Sequence, residues 1–284
     1  MLTILFDGVA YGMVLFILSC GLAVTLGLMN FINLAHGAFA MAGGYFAFLL
    51  ATRYGVSFFA TIPLVFILTA GLGLIIERTL YSHLYGSSHL EQVLFTVGLV
   101  LMSIVIADYF MGAQPVSIPL PEILRGQIEI GGVGLGRYRL FLILVCGLLT
   151  LGVQLVISNS RFGRQLRAAV DNASVARGVG IRVNRLFALT FAFGCGLAGI
   201  GGALGAEIMN IEPTFPFKYM IYFLVIVAVG GTTSLTGPFL AAMLLGIADV
   251  ARKYYAPSIG TFTIYVLMIA TLLVRPNGLL ARRS

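Results

Sequence analysis

Charge is what this sequence has least of. Only 10% of its 284 residues are Asp, Glu, Lys or Arg, against 60% hydrophobic, and the mean hydropathy is +1.04. That balance excludes a soluble globular domain. Apolar stretches near or beyond the ~18 residues that read as a membrane helix recur from end to end, which excludes a lone surface anchor or a separate soluble domain. Lysine is nearly absent. Lys218 follows Phe217 and Lys253 precedes Tyr254, so no glycine-rich loop runs into Lys-Ser or Lys-Thr and no Walker-type nucleotide site exists. His36, His83 and His89 form no i, i+4 ligand pair, and Cys20, Cys146 and Cys195 each lie in an apolar segment with no second ligand at useful spacing. The cysteines read as small buried hydrophobes, and with no nucleophile beside a base, neither a metal site nor an intramembrane enzyme is expected. A cationic leader is missing too: Asp7 stands in its place, and the apolar run passes residue 28 without a cleavage site, so no removable signal peptide is expected.

What remains is an all-α polytopic membrane protein, one domain over residues 1–284. Apolar helices are expected near 5–29, 36–52, 58–76, 90–111, 140–157, 186–206 and 260–274. A glycine-broken apolar region at 219–250 reads as two short crossings or one re-entrant pair, giving about eight or nine membrane helices. The polar connection 112–139 contains Pro115, Pro119 and Pro121 and then "GQIEIGGVGLGRY", which predicts a short hairpin. The connection 158–185 carries six arginines against the single acid Asp171. It is the strongest orientation signal and belongs in the cytoplasm, with 112–139 on the far side. Arg275, Arg282 and Arg283 put the C-terminus inside, and the nearly uncharged N-terminus falls outside. The positive-inside rule therefore accounts for the net charge of +7, and nucleic acid does not.

Two apolar segments are interrupted. In "NFINLAHGAFAMAGGYF", Asn30 and Asn33 are poor helix-interior residues, and His36 and Gly37 open the next helix. In "AVGGTTSLTGPFLAAMLLG", Gly230 and Gly231 end a helix, Thr232, Thr233, Ser234 and Thr236 offer hydroxyls, and Pro238 suits the next first turn. Irregular backbone survives at membrane depth only beside protein or a water-lined cavity. Both elbows are thus candidates for the lining of a substrate route, as in transporters with broken helices, or else packing devices with caps. The transporter reading depends on the first of these: the kinks at Asn33 and Ser234 should border a wet conduit. The glycines of 186–206, from Gly194 to Gly205, predict close helix packing there.

In the basic loop, residues 164–177 suit one short helix. Ala169, Ala173 and Ala176 form a small-residue stripe, while Arg164 and Arg167 lie on another face. Such a helix could lie on anionic lipid or be an ordinary positive-inside loop, but lacking bulky anchors it better fits a groove in a cytosolic protein.

Four blocks, in order, resemble the LivH-type permeases of branched-chain amino acid ABC importers. They are "NFINLAHGAFAMAGGYF", "RFGRQLRAAVDNASVARGVGI", "AVGGTTSLTGPFLAAMLLGIADV" and the closing "RPNGLL". The second follows the family pattern through Gly163, Arg167, Ala168, Asn172, Ala176, Gly180 and Ile181. The third ends on Asp249 where such permeases often have glutamate. The resemblance implies the importer permease fold in a bacterial inner (cytoplasmic) membrane, working by alternating access. It implies a second, LivM-like permease, two cytosolic ATP-binding subunits that carry the ATP and Mg, and a periplasmic solute-binding protein. No cofactor is expected on this chain itself. On this reading, Gly163, Arg164, Arg167, Ala168, Asn172, Ala176, Gly180 and Ile181 couple to the ATPase. The substrate route takes Asn30, Asn33, His36, Gly37, Thr232, Thr233 and Ser234, and Arg125, Glu207 and Glu212 read the loaded binding protein. Related permeases also serve urea, amides and small organic acids, and the polar elbow favours a zwitterionic amino acid. An ion-coupled secondary transporter is the main rival, but Glu77, Glu91, Asp108 and Asp249 all fall near predicted helix ends. An ion channel would need a charged ring or filter repeat, which is absent from the sequence.

Overall fold

Backbone N–H and C=O groups have no water to bond in hydrocarbon, so a chain this apolar pairs them locally in helices. The computed structural model describes residues 1–29, 31–130, 133–231, 234–260, 262–275 and 278–279. The described helices are α1 (Leu2–Met29), α2 (His36–Thr52), α3 (Phe58–Thr79), α4 (His89–Met111), α5 (Arg137–Asn159), α6 (Arg161–Asp171), α7 (Ala173–Gly178), α8 (Val183–Met209), α9 (Phe215–Gly230), α10 (Thr236–Tyr255) and α11 (Phe262–Val274). Helices α1, α3, α4, α5 and α8 are long and apolar enough to cross a membrane, and α2, α9 and α11 are shorter apolar helices. The region 219–250 resolves into the antiparallel pair α9 and α10. The hairpin expected within 112–139 is present: β1 (Gln127–Ile130) pairs antiparallel with β2 (Val133–Gly136), with Gln127 opposite Gly136.

Two helices form the centre. In α1 and α8, 83% of the membrane-length window is buried, against 22% or less in α3, α4 and α5, which therefore present their apolar surface outward. The glycine run in α8 explains how three neighbours fit around it. A Cβ at Gly202 would collide with the Ala40 carbonyl of α2, and one at Gly43 with the Gly199 backbone of α8. On its other sides α8 receives Gly21 of α1 at Gly194 and Thr69 of α3 at Gly199. Small residues permit this backbone-to-backbone approach, which dispersion and Cα–H contacts then hold in the absence of a hydrophobic drive between helices. Cys20, Cys146 and Cys195 are buried free thiols within the helices.

One expectation fails. Residues 164–177 are not one helix: α6 ends at Asp171 and α7 begins at Ala173. Asn172 is extended (φ −155°, ψ 98°), and its side chain accepts from the N–H of Ser174 (3.1 Å) and Val175 (3.0 Å). It caps α7 instead of continuing α6, because Asn competes for backbone donors where a helix interior offers none free.

Backbone contact at Gly202 makes it intolerant of volume. Gly202→Leu should lower the unfolding midpoint of the detergent-solubilised protein measurably, overpacking costing about 1–3 kcal/mol or more. Gly71→Ala, where nothing lies within 4 Å, should leave the midpoint unchanged or raise it. Equal midpoints for Gly202→Leu and wild type in a thermal melt followed by size exclusion would contradict this packing.

Candidate functional site

The break after α1 returns the chain into the bundle. Gly21 of α1 abuts the His36 ring, and His36 Nε2 lies 2.8 Å from the Leu18 carbonyl of α1. A carbonyl only accepts, so Nε2 carries the hydrogen. The ring also meets Phe223 of α9 edge-on at 6.3 Å, and a Cβ at Gly37 would come within 3.0 Å of Pro216. Asn33 is fully buried, and its Oδ1 accepts from Tyr81 Oη at 2.9 Å, while Nδ2 meets no hydrogen-bond partner among the described residues. The Ile32 N–H donates to Gln92 Oε1 of α4 at 3.2 Å, and Gln92 Nε2 donates to the carbonyls of Leu84 and Ser87. Phe31 is wedged between Tyr81 (5.3 Å) and Tyr85 (5.7 Å).

The second break meets the same stretch of α1. Phe239, in the first turn of α10, packs edge-on against Phe16 at 5.3 Å, close to the level of Leu18. From there α10 runs back along α1, with Gly246 on the Gly12 backbone and Ile247 on Gly8. Gly231, at φ +82°, turns the chain, and a Cβ at Gly237 would strike the Gly230 carbonyl. Two described residues of the closing "RPNGLL" block pack here: Gly278 (φ +96°) lies against Gly231, and the Leu279 N–H donates to the Val229 carbonyl at 2.8 Å. Two of the four sequence blocks thus form one joint. Ser234 is exposed at the elbow and accepts a hydrogen bond from Thr236 Oγ1 at 3.2 Å. Asn30, Thr232 and Thr233 lie outside the described residues. Of the two kinks expected beside water, Ser234 is on the surface and Asn33 is packed in protein.

The α6–α7 elbow is built by its own pattern residues. Gly163, capped through Ser160 Oγ at 3.0 Å, is so close to the Ile157 carbonyl that a Cβ would clash. Arg167 donates to the carbonyls of Ile157 (2.6 Å) and Ser158 (3.3 Å), and Arg164 to that of Asn159 (3.0 Å). Both arginines therefore cap the last turn of α5, whose carbonyls lack intrahelical partners and carry the negative end of the helix dipole. Gly180, at φ +87°, closes α7: its N–H donates to the Arg177 carbonyl, and the Ile181 N–H reaches back to that of Ala176, both at 3.0 Å. This is the Schellman arrangement, in which Gly supplies the left-handed residue and the next side chain packs back on the helix. The small-residue stripe faces inward. Ala169 and Ala176 are buried with Leu166, Val183 and Leu186, and Ala173, Ile181 and Phe187 pack against them. A groove in a partner therefore cannot receive this stripe. The outward face instead presents Arg164, Ala168, Asp171, Val175 and Val179, with Val175 61% and Val179 73% exposed.

At the other end, Val116 and Ile211 exchange backbone hydrogen bonds (2.8 and 3.2 Å), drawing the 112–139 segment onto the α8–α9 connection. Arg125 Nε donates to the Leu120 carbonyl, Glu207 is exposed, and Glu212 pairs with Lys218 at 2.8 Å. Reading the sequence missed Tyr81, Tyr85 and Gln92, which hold the first break. Only Gln92, a lone amide in an apolar helix, could have signalled it. The fully buried carboxylate of Asp249 is also held locally, by Arg252 (2.8 Å) and Lys253 (2.7 Å).

Residues 4–272 match the family described as branched-chain amino acid transport system, permease component. The permease protein BraD of a high-affinity branched-chain amino acid transport system in Pseudomonas aeruginosa is 29% identical, over 98% of this chain and 95% of that protein. A probable branched-chain amino acid transport permease, LivH of Methanocaldococcus jannaschii, is 27% identical over 97% and 91%. The chain is also similar to LivM, a permease protein of the Escherichia coli high-affinity system, at 25% identity over 94% of this chain and 68% of LivM. No solved structure matches.

The Asn172 cap is separable from the rest of the elbow. Asn172→Ala should cost about 1 kcal/mol, seen as about fivefold faster hydrogen exchange at the α7 amides, and Asn172→Asp should restore protection. Unchanged exchange in Asn172→Ala would remove the cap from this account.

Proposed function

The chain belongs to the family of branched-chain amino acid transport system permease components, and from that premise we propose how its parts serve import. It is a permease subunit of a binding-protein-dependent importer for branched-chain amino acids. Likeness to both LivH and LivM supports a pair of related permeases, this chain being one of the two. ATP is bound and hydrolysed by two cytosolic subunits. In the inner membrane of a bacterium, the α6–α7 elbow lies in the cytoplasm and the 112–139 segment in the periplasm, N-terminus out and C-terminus in.

The observation that carries the docking part of this reading is the division of labour within the elbow. Gly163, Arg167, Asn172, Ala176, Gly180 and Ile181 are all occupied inside the chain, which leaves a firm surface whose outward small and apolar residues, Ala168, Val175 and Val179, have no internal task. A rigid element with an unpartnered apolar face suits insertion into a groove. Closure of the ATP-binding subunits on nucleotide would move this elbow. A ligand shifts such an equilibrium only by binding the two states differently, and the loaded binding protein supplies that difference at the opposite end through Arg125, Glu207 and Glu212. Both broken helices start against residues 16–21 of α1, so movement there would open or close a route past His36, Gly37 and Ser234.

The test is reconstitution of the assembled importer in vesicles. Leucine uptake should require ATP and binding protein, and an ion gradient alone should drive none; uptake on the gradient alone would favour a secondary transporter. Val175→Glu should weaken co-purification of the ATP-binding subunits by at least about tenfold, the scale of a charge forced into a docking hot spot, while Val175→Ala retains them.

A further inference from the structure

We propose that Phe187, Tyr85 and Phe31 are positioning residues that relay movement of the α6–α7 elbow to the break between α1 and α2. The proposal rests on the reading that ATP-binding subunits act on this elbow. Its basis is an unbroken line of ring contacts from one to the other. Phe187 of α8 packs on the apolar cluster under the elbow, beside Leu166, Ala169 and Ala176. Its ring meets Tyr85 edge-on, with centroids 5.8 Å apart, and Tyr85 meets Phe31 at 5.7 Å. Phe31 meets Tyr81 at 5.3 Å, and Tyr81 Oη holds Asn33 Oδ1 at 2.9 Å, three residues before His36.

Two further features suit the line to this task. Tyr85 lies in the α3–α4 connection, outside regular helix, yet is pinned by a 2.8 Å hydrogen bond from its hydroxyl to Glu77 Oε1 in the last turn of α3. Movement of its ring is thereby referred to α3 and not lost in the loop. The central helix beyond Phe187 offers little travel: from Gly194 to Gly202 α8 is in backbone contact with α1 and α2, so sliding it displaces its neighbours together. Edge-to-face rings, each pair worth about 0.5–1.5 kcal/mol, can re-seat between discrete arrangements without opening a cavity. The ring that leaves the line, Phe191 at 4.7 Å from Tyr81, leads on to Phe39 of α2 at 5.8 Å, so both sides of the break are touched.

Spatial continuity alone does not establish coupling; a double-mutant cycle does. In vesicles holding the complete importer, the ratio of leucine imported to ATP hydrolysed is the readout, with co-purification of the ATP-binding subunits measured alongside. Phe187→Ala and Tyr85→Ala should each leave assembly intact and lower the ratio by about fivefold or more, the lower end of ordinary site-to-site coupling. The double variant should be no worse than either single one, and Tyr85→Phe, which keeps the ring but loses the bond to Glu77, should fall between wild type and Tyr85→Ala. Unchanged ratios in both single alanine variants, or losses that multiply in the double variant, overturn the relay. Should the alanine variants fail to assemble, Phe187→Leu keeps most of the apolar volume without the ring. Nucleotide trapping should then alter hydrogen exchange at residues 31–36 in wild type but not in Phe187→Leu, and an identical response in both overturns the proposal. Retention of the ATP-binding subunits by Val175→Glu would instead defeat the docking reading, a separate result.

Discussion

The arrangement depends on how the broken backbone after α1 is satisfied. Between Phe31 and His36 the chain leaves the helical hydrogen-bond ladder among buried residues, and an orphaned donor in an apolar setting would cost several kcal/mol. The Phe31 N–H reaches back to Thr25, that of His36 to the Asn33 carbonyl, and that of Ile32 finds the side chain of Gln92. The first two partners are local, but Gln92 is available only if α4 comes against the break, and the Asn33 side chain likewise needs Tyr81 of the α3–α4 connection. The position of two later elements is thus tied to the needs of one backbone amide, that of Ile32, and one side chain, that of Asn33. The His36 ring, bonded to Leu18, then fixes where along α1 the next helix begins.

The second break solves the same problem differently. Instead of side chains it uses tight backbone contact and the returning tail: Gly230 against Gly237, and Leu279 donating to Val229, with Gly231 and Gly278 at positive φ where an L side chain would be strained. Absence of side chains allows this, and it explains why a motif as plain as "RPNGLL" accompanies the glycine-rich block. Both solutions deliver a helix start to residues 16–21 of α1, and both helices then run toward the N-terminal end of α1. A pair of helix starts held at one level by different means can be displaced independently, which a single continuous helix would not permit.

Much of this was legible in the sequence and some could not be. Helix positions followed from apolar length, and the burial of α8 from its glycines, because each is a local property. The pairing of Asn33 with Tyr81 lay beyond reach: the partners are 48 residues apart, and Tyr81 sits in a stretch that reads as connection. The alanine stripe was visible but its direction was not. Periodicity states that a face exists, and only the packing of Leu166 and Ala169 beside Val183 and Leu186 states that it faces home. The break at Asn172 was readable in principle, since Asn followed by Ala-Ser reads better as a cap than as a helix interior.

The elbow shows what a recurrent pattern encodes. Arg167 reads in the sequence as a ready charge for a partner, yet its guanidinium is turned onto Ile157 and Ser158, and the glycines and asparagine of the same pattern serve turns and caps. Their common product is an angle between α5, α6 and α7 that does not yield, and stiffness is the property a lever needs. A soft elbow would absorb the displacement of a docked subunit in its own loops. A capped one, with Ile157 pressed on Gly163 and Phe187 pressed from beneath, can pass that displacement into the bundle. On the docking proposed above, recognition and transmission would fall to different residues, the outward Ala168 and Val175 for the first and the inward caps for the second.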